Sequence, residues 1–184
     1  MDIAQNAQNT VILAADEASL YLQASLMRVW SAIGQTPVVK VVANRNNTHF
    51  YGALNLQTGE QVMMRSDLMN ADVTALFLNR ILLTYSDVPI LLLWDRATWH
   101  KGEAIRSVLA ANPRLELWCF PPGCPELNPQ EHVWKATREA VSHNHNKTKL
   151  LELADAFGNH LNSTCFPCSF LDKFAHSDLC AMFK

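Results

Sequence analysis

The chain has 184 residues, of which 49% are hydrophobic and 17% charged, and its formal net charge is −2. This composition is typical of a folded domain with a sizeable core and excludes a disordered chain. The small net charge also excludes binding of a polyanion over the whole protein surface. Bound cations and a local group of basic side chains can still make one face attractive to phosphate.

Neither a membrane segment nor a disulfide framework is predicted. The apolar run at residues 90–94 is too short to cross a bilayer, and the N-terminus has neither a basic segment nor a long hydrophobic stretch. Five cysteines form an odd count with no tight spacing pattern, which predicts reduced thiols. We therefore expect a cytoplasmic protein.

Three strands are predicted in the first third of the chain, at residues 11–15, 38–43 and 49–56. The first is expected to end at Asp16. Polar residues at 44–47 and 57–60 predict turns, and short turns between strands favour an antiparallel meander.

Helices and strands alternate in the rest of the chain. We expect a helix at 71–85 capped by Asn70, a strand at 90–95, a helix at 101–111, a strand at 115–120 and helices at 128–142 and 150–161. Such alternation implies parallel additions to the sheet. The expected fold class is α/β, with about five strands, three antiparallel and two parallel, and helices on both faces. We expect residues 1–146 to form this domain and residues 147–184 a helical tail packed on or following it.

Two acidic residues stand at the ends of predicted elements, Asp95 after an apolar strand and Glu131 in the first turn of a helix. An ionised group beside an apolar run is costly unless a positive or polar group meets it, so both are candidate metal ligands. Adjacent strands lie about 4.8 Å apart, so Asp16 can bracket a metal ion with Asp95 if their strands are neighbours. Three such carboxylates predict phosphoryl transfer assisted by two divalent cations, with magnesium suited to all-oxygen ligands.

Each of these acids also has a structural explanation. Asp16 can be a turn residue that leaves a strand. Glu131 fits a helix start with Asn128 as N-cap and Pro129 in the first turn, where the helix dipole favours a carboxylate. Glu17 points to the opposite strand face from Asp16 and is the weaker candidate ligand.

Motifs across most of the chain resemble the catalytic domain of insertion-sequence transposases of the mariner superfamily, which are DDE superfamily endonucleases. The matching segments are DRATWH at 95–100 and FPPGCPELNPQEHVW at 120–134, with ADE at 15–17, WSAIGQTP at 30–37 and YGA at 51–53. The 35 residues at 96–130, which separate Asp95 from Glu131, are also similar to the spacing in that family.

The resemblance implies a ribonuclease-H-like fold in which Asp16, Asp95 and Glu131 are catalytic and hold two Mg²⁺ ions, with Mn²⁺ as a substitute. Water then cleaves a phosphodiester, and the freed 3′-hydroxyl attacks target DNA. The implied partners are transposon ends and target DNA, bound by a homodimer or higher assembly. On DNA the protein is expected to be associated with the nucleoid.

Five residues near the triad are expected to contact DNA, namely Arg96, His100, Lys101, Lys135 and Arg138. Arg96 stands where relatives often have Asn, and Arg138 where Lys is common. Arg96 can pair with phosphate or be a solvated loop charge. His100 can orient DNA or a metal-bound water, or be an exposed loop side chain. Trp134 is expected to pack its helix near the site rather than to stack on a base.

Relatives usually carry helix-turn-helix modules before the first catalytic aspartate, whereas fifteen residues precede Asp16 here. We therefore expect the catalytic half of a split, frameshifted or truncated transposase that lacks its N-terminal DNA-binding domain. A separately encoded helix-turn-helix polypeptide is then a candidate partner. The alternatives are a non-catalytic remnant or regulatory subunit that associates with a full-length transposase, and a repair or junction nuclease on the same fold.

The C-terminal tail carries four candidate zinc ligands, Cys165, Cys168, His176 and Cys180. The first pair alone has the spacing of a zinc site, so buried thiols are the favoured interpretation.

Overall fold

The computed structural model describes residues 9–166, which build a five-stranded sheet and its flanking helices. The strands are β1 (Val11–Tyr21), β2 (Asn47–Asn55), β3 (Gln61–Ser66), β4 (Ile90–Trp94) and β5 (Leu115–Cys119). The helices are α1 (Ala71–Thr84), α2 (Glu103–Ala111), α3 (Pro129–Thr137) and α4 (Leu150–Ser163). A turn of π-helix, Arg138–Ser142, continues α3. None of the helices within residues 9–166 has the length and apolar character needed to cross a membrane.

The strand order across the sheet is β3-β2-β1-β4-β5. The pairs β1–β2 and β2–β3 are antiparallel, and the pairs β1–β4 and β4–β5 are parallel. The predicted α/β fold class, with three antiparallel strands and two parallel additions, is therefore confirmed. The condition set for Asp16 and Asp95, that their strands are neighbours in the sheet, is met, since Ala14 on β1 pairs with Leu93 on β4 in a parallel register.

Helices cover both faces of the sheet. On one face α3 and α4 bury Trp134, Leu153 and Phe157 against β1 and β2, and the Phe157 ring centroid lies 4.9 Å from that of Phe50. On the other face α1 and α2 bury residues such as Phe77 against the same sheet. Alternate residues of β1 serve the two cores, which is why this central strand carries almost no polar residue before Asp16.

The strand predicted at residues 38–43 is wrong. These residues have no regular structure, and Val38 is 87% exposed. A β-branched run forms a strand only where an adjacent strand and a buried face are available. The third strand is instead β3, which was not predicted because its sequence QVMMRS buries only Val62. The turn at residues 57–60 brings β3 back against β2, and Gly59 adopts a φ of 76° there.

The predicted end of β1 at Asp16 is also wrong, since the strand continues to Tyr21. The residues after Asp16 alternate between the two faces and still pair with β2. Both predicted helix caps are confirmed. Asn70 accepts a hydrogen bond from the Val73 N–H, and Asn128 caps α3 by accepting a hydrogen bond from the Gln130 N–H. The predicted helix at 101–111 begins two residues later, at Glu103.

Helix α4 packs on the sheet and belongs to its core. The division at residue 146 remains a prediction. Three of the four candidate zinc ligands, Cys168, His176 and Cys180, lie outside the described residues. The fourth, Cys165, is an exposed free thiol whose Sγ lies 3.1 Å from the backbone oxygen of Thr58.

Candidate active site

Asp16 lies in the middle of the central strand β1 and is 9% exposed. Its backbone pairs with Gly52 on β2. The indole Nε1 of Trp134 donates a hydrogen bond of 3.0 Å to Asp16 Oδ2. Trp134 is itself fully buried, so the predicted packing role of this side chain is confirmed, and the strand and helix α3 together fix the carboxylate.

The close approach of α3 to β2 depends on Gly52. A Cβ at this position would lie 2.4 Å from Gln130 Nε2 and 2.6 Å from a ring carbon of Trp134. The helix start is anchored as well, because the Asn128 side chain donates a 3.1 Å hydrogen bond to the backbone oxygen of Ala15. Asn128 is therefore both the N-cap of α3 and a link to the strand that carries Asp16.

Asp95 follows β4 directly, as predicted, and its side chain is 51% exposed. Its Oδ1 accepts a hydrogen bond of 2.9 Å from the Ala97 N–H and lies 3.0 Å from His100 Nδ1. Within residues 9–166 no donor reaches Asp95 Oδ2. This carboxylate is held through one oxygen and leaves the other available.

Glu17 and His100 lie behind Asp95, and neither was assigned this place from the sequence. His100 is 8% exposed, so its interpretation as an exposed loop side chain is wrong. Its Nε2 lies 3.0 Å from Glu17 Oε1, and its ring stacks on Trp94 at a centroid distance of 4.1 Å. Glu17 points to the opposite face from Asp16, as expected, and also accepts a 3.0 Å hydrogen bond from Trp99 Nε1. The sequence did contain one signal for Glu17: residues alternate between the two faces of a strand, so the adjacent Asp16 and Glu17 lie on opposite faces.

The triad residues Asp16, Asp95 and Glu131 line one cavity of about 380 Å³. The rest of the lining is Arg96, Ala97, Phe120, Pro121, Pro122, Gly123, Cys124, Pro125 and Asn128. The proline-rich turn thus forms one wall of the cavity. The three carboxylates that the sequence predicts as a site lie in β1, directly after β4 and in the first turn of α3. The structure brings them together around one cavity.

Burial of Asp16 and its acidic neighbours raise the pKa of this carboxyl. Burial, followed by the charges of Glu131 and Glu17 and, to a smaller extent, Asp95, raises the pKa of Asp16 to about 8. Burial alone would lower the pKa of His100, but the hydrogen bond and the charge of Glu17 outweigh burial and raise it above the usual value. Both nitrogens of the His100 ring face oxygens that only accept hydrogen bonds, which favours the protonated ring.

The basic residues predicted to contact DNA occupy different places. His100 is buried, and its two ring nitrogens contact Glu17 and Asp95, so neither nitrogen is open to DNA. Arg96 is exposed and lines the cavity. Lys101 and Lys135 are exposed outside the lining, and Arg138 is half-buried on the π-turn. Their roles on DNA remain predictions.

The donor set fits a divalent cation. In the part of the chain that the structure describes, His100 on Asp95 is the one basic side chain bonded to any of the three carboxylates. The repulsion between these like charges would be relieved by a bound cation. Within residues 9–166, however, no three His, Cys, Asp or Glu side chains already converge on a single metal position. The arrangement is therefore that of carboxylates lining a shared cavity, in which Asp16 is buried while Asp95 and Glu131 are exposed.

Several known proteins are similar to this chain. The 39 kDa protein of insertion element IS630 from Shigella sonnei is 24% identical over 139 residues, which are 75% of this chain and 40% of that protein. A Mos1 transposase paired-end complex with left transposon end gives a TM-score of 0.64 at 13% identity over 98% of this chain and 55% of that one. A mariner Mos1 paired end complex with Mg gives 0.65 at 12% identity over 98% and 59%.

The crystal structure of the catalytic domain of Mos1 mariner transposase is matched over 98% of this chain and 82% of that one, with a TM-score of 0.61 and 13% identity. These structures share the ribonuclease-H-like fold. The chain spans less than half of the IS630 protein and a little over half of the transposase in the paired-end complexes. The model of the family described as DDE superfamily endonuclease matches residues 11–153, and this chain belongs to that family.

Proposed function

We propose that this chain cleaves DNA strands and joins the freed ends to target DNA, as the catalytic part of an insertion-sequence transposase. The observation that carries the proposal is the cavity lined by Asp16, Asp95 and Glu131, which come from two neighbouring parallel strands and a helix start. The family match and the similarity to transposase structures support it.

In this proposal the three carboxylates hold two Mg²⁺ ions, for which Mn²⁺ can substitute. When bound, such ions neutralise charge on the scissile phosphate and assist both the attacking and the leaving oxygen. Asp16 supplies a fixed ligand, because Trp134 and the strand hold it in place. Asp95 is held through Oδ1, which leaves Oδ2 for a ligand, and Glu131 is exposed at the first turn of α3.

The remaining lining residues bind and orient the substrate. Arg96 lies beside Asp95 and is exposed, so it can pair with a phosphate of the DNA strand. The wall formed by the proline-rich turn, residues 121–125, restricts the side from which a strand enters the cavity. Transposon ends and target DNA are the proposed partners, with a homodimer or higher assembly on DNA and a helix-turn-helix polypeptide as further proposed partners.

Nicking of supercoiled plasmid DNA in Mg²⁺ or Mn²⁺ tests the proposal. We expect Asp95→Asn to lose at least about 100-fold in rate, since even the residues that support metal ligands contribute 10–100-fold. Asp72→Asn, an exposed aspartate on α1, is the matched control and should nick like the wild type.

Equal nicking by the wild type and Asp95→Asn would contradict the proposed site. Absence of nicking by the wild type under all metal conditions would favour the regulatory alternative. A strand-transfer assay with a pre-cut transposon-end oligonucleotide separates a transposase from a repair nuclease, which cuts but does not join.

A further inference from the structure

Glu17 is a buried acid that the proposed chemistry does not use. Its side chain is 6% exposed and points away from the cavity into which the preceding residue projects. An ionised carboxylate in such a place needs specific donors. It has two, Trp99 Nε1 at 3.0 Å and His100 Nε2 at 3.0 Å.

The imidazole ring of His100 is fixed on several sides. It stacks on Trp94 with an interplanar angle of 6°, and Trp99 contacts it edge-on at a centroid distance of 6.2 Å. Its Nδ1 reaches both the backbone oxygen and Oδ1 of Asp95, at 3.1 and 3.0 Å. The ring therefore cannot rotate or shift far without losing some of these contacts.

Asp95, in contrast, lies in a loop with a half-exposed side chain. A carboxylate in that position would otherwise sample several rotamers, and ordering it would reduce the affinity for a ligand. The contacts from His100 and from the Ala97 N–H both fall on Oδ1 and so select one orientation.

We propose that Glu17 and His100 form a positioning pair, in which Glu17 orients the His100 ring and the ring fixes Asp95 with Oδ2 turned to the cavity. This inference rests on the proposed role of Asp95 as a metal ligand. Neither residue of the pair touches substrate; both act through the orientation of Asp95. Catalytic groups need to be held within about 0.5 Å of their working geometry, which is the task of such supporting contacts.

Two substitutions of His100 separate the two ends of the ring. The amide nitrogen of asparagine takes the place of Nδ1, so His100→Asn can keep the contact with Asp95. The amide nitrogen of glutamine takes the place of Nε2, so His100→Gln can keep the contact with Glu17 only. Both variants lose the stacking of the imidazole ring on Trp94.

The affinity of the full chain for Mn²⁺ is measured without DNA, by monitoring the electron paramagnetic resonance signal of the free ion. A thermal melt is recorded for each variant. We expect the order wild type, His100→Asn, His100→Gln, with a loss of about 10-fold in His100→Gln. Nicking by His100→Gln should recover as the Mg²⁺ concentration rises. His49→Gln is the matched control, because His49 contacts Ser19 Oγ at 2.9 Å and does not line the cavity.

Wild-type affinity in both His100 variants would overturn the inference, and so would equal losses that follow the melting temperature. Glu17→Gln, which keeps an acceptor for Trp99, gives a second reading if the His100 variants do not fold. We expect it to bind Mn²⁺ more weakly than the wild type, and wild-type affinity in this folded variant would overturn the inference. A loss of affinity in Asp95→Asn without one in His100→Gln overturns the inference and leaves the proposed function standing. Unchanged affinity in Asp95→Asn overturns the proposed function itself.

Discussion

The middle of β1 and the end of β4 hold their aspartates in opposite ways. Asp16 is buried in a strand, bonded to Trp134 and pressed by a helix that approaches closely at Gly52. Asp95 is half exposed in a loop and is held by His100. The buried carboxylate has a fixed position at the expense of its hydration, whereas the exposed one keeps its hydration and needs a partner to fix its orientation.

The largest expected effect concerns the pH dependence at Asp16. The pKa of Asp16 is raised to about 8 in the folded state, so the unfolded chain releases this proton at lower pH than the folded chain does. The contribution of Asp16 to stability is therefore complete below about pH 4 and is lost as the pH rises towards 8. Between these limits the loss is roughly 1.4 kcal/mol per pH unit for a single group.

Urea unfolding of the metal-free wild type and of Asp16→Asn across this pH range measures the effect. The free energy of unfolding of Asp16→Asn should rise relative to that of the wild type as the pH increases. Parallel curves for the two proteins would contradict the assigned burial and crowding of this carboxylate.

A smaller effect is expected where the helix meets the strand. Gly52→Ala places a methyl group against Gln130 and Trp134, and overpacking of this kind costs about 1–3 kcal/mol. The matched control is Gly158→Ala on α4, where the added Cβ meets the flexible end of Met63 at 2.8 Å and the Phe50 ring at an ordinary contact distance of 3.7 Å, and where alanine favours the helix. Chemical denaturation of both variants gives the comparison, and equal stabilities would show that the close approach at Gly52 is not needed.

The smallest effect is expected on the open side of the cavity. Arg96→Ala should leave the thermal melt unchanged and weaken binding to duplex DNA a few-fold. It should also reduce the slope of log affinity against log salt by about 1, because one phosphate contact is removed. Arg80→Ala, an exposed arginine on α1 outside the cavity, is the control. Identical salt slopes for wild type and Arg96→Ala would exclude a phosphate contact.

The same contrast explains what the sequence could and could not predict. Asp95 and its strand were predicted because β4 is a continuous apolar run that stops at a charge. The fold class followed from the alternation of strands and helices, whereas the adjacency of β1 and β4 was only a condition for the site and is given by the structure. The continuation of β1 beyond Asp16 was not predicted, because a charge pair in a strand interior looks like an exit from the strand unless the buried partners are known.

The misplaced elements have a common cause. Residues 38–43 have strong strand propensity but no paired strand within residues 9–166, while β3 has weak propensity and is stabilised by its pairing with β2. The place of His100 could not be predicted for a related reason. Its partner Glu17 is 83 residues away in the sequence, and strand alternation gives the face of Glu17 without giving what lies against that face.

The alternation of β1 has one more consequence, for how the strand finds its alignment. Ile12 and Ala14 face one apolar core, and Leu13 and Ala15 face the other, so both faces tolerate hydrophobic side chains. Apolar patterning therefore discriminates poorly between the native alignment and one shifted by a single residue. A shift in one direction would bring Glu17 against the indole of Trp134 and Ala18 opposite the ring of His100. A shift in the other direction would bring Ala15 against Trp134 and Asp16 opposite His100. The two adjacent acids therefore discriminate between alignments, because only the native one gives each acid its partner. A one-residue deletion before them should disrupt folding as well as chemistry.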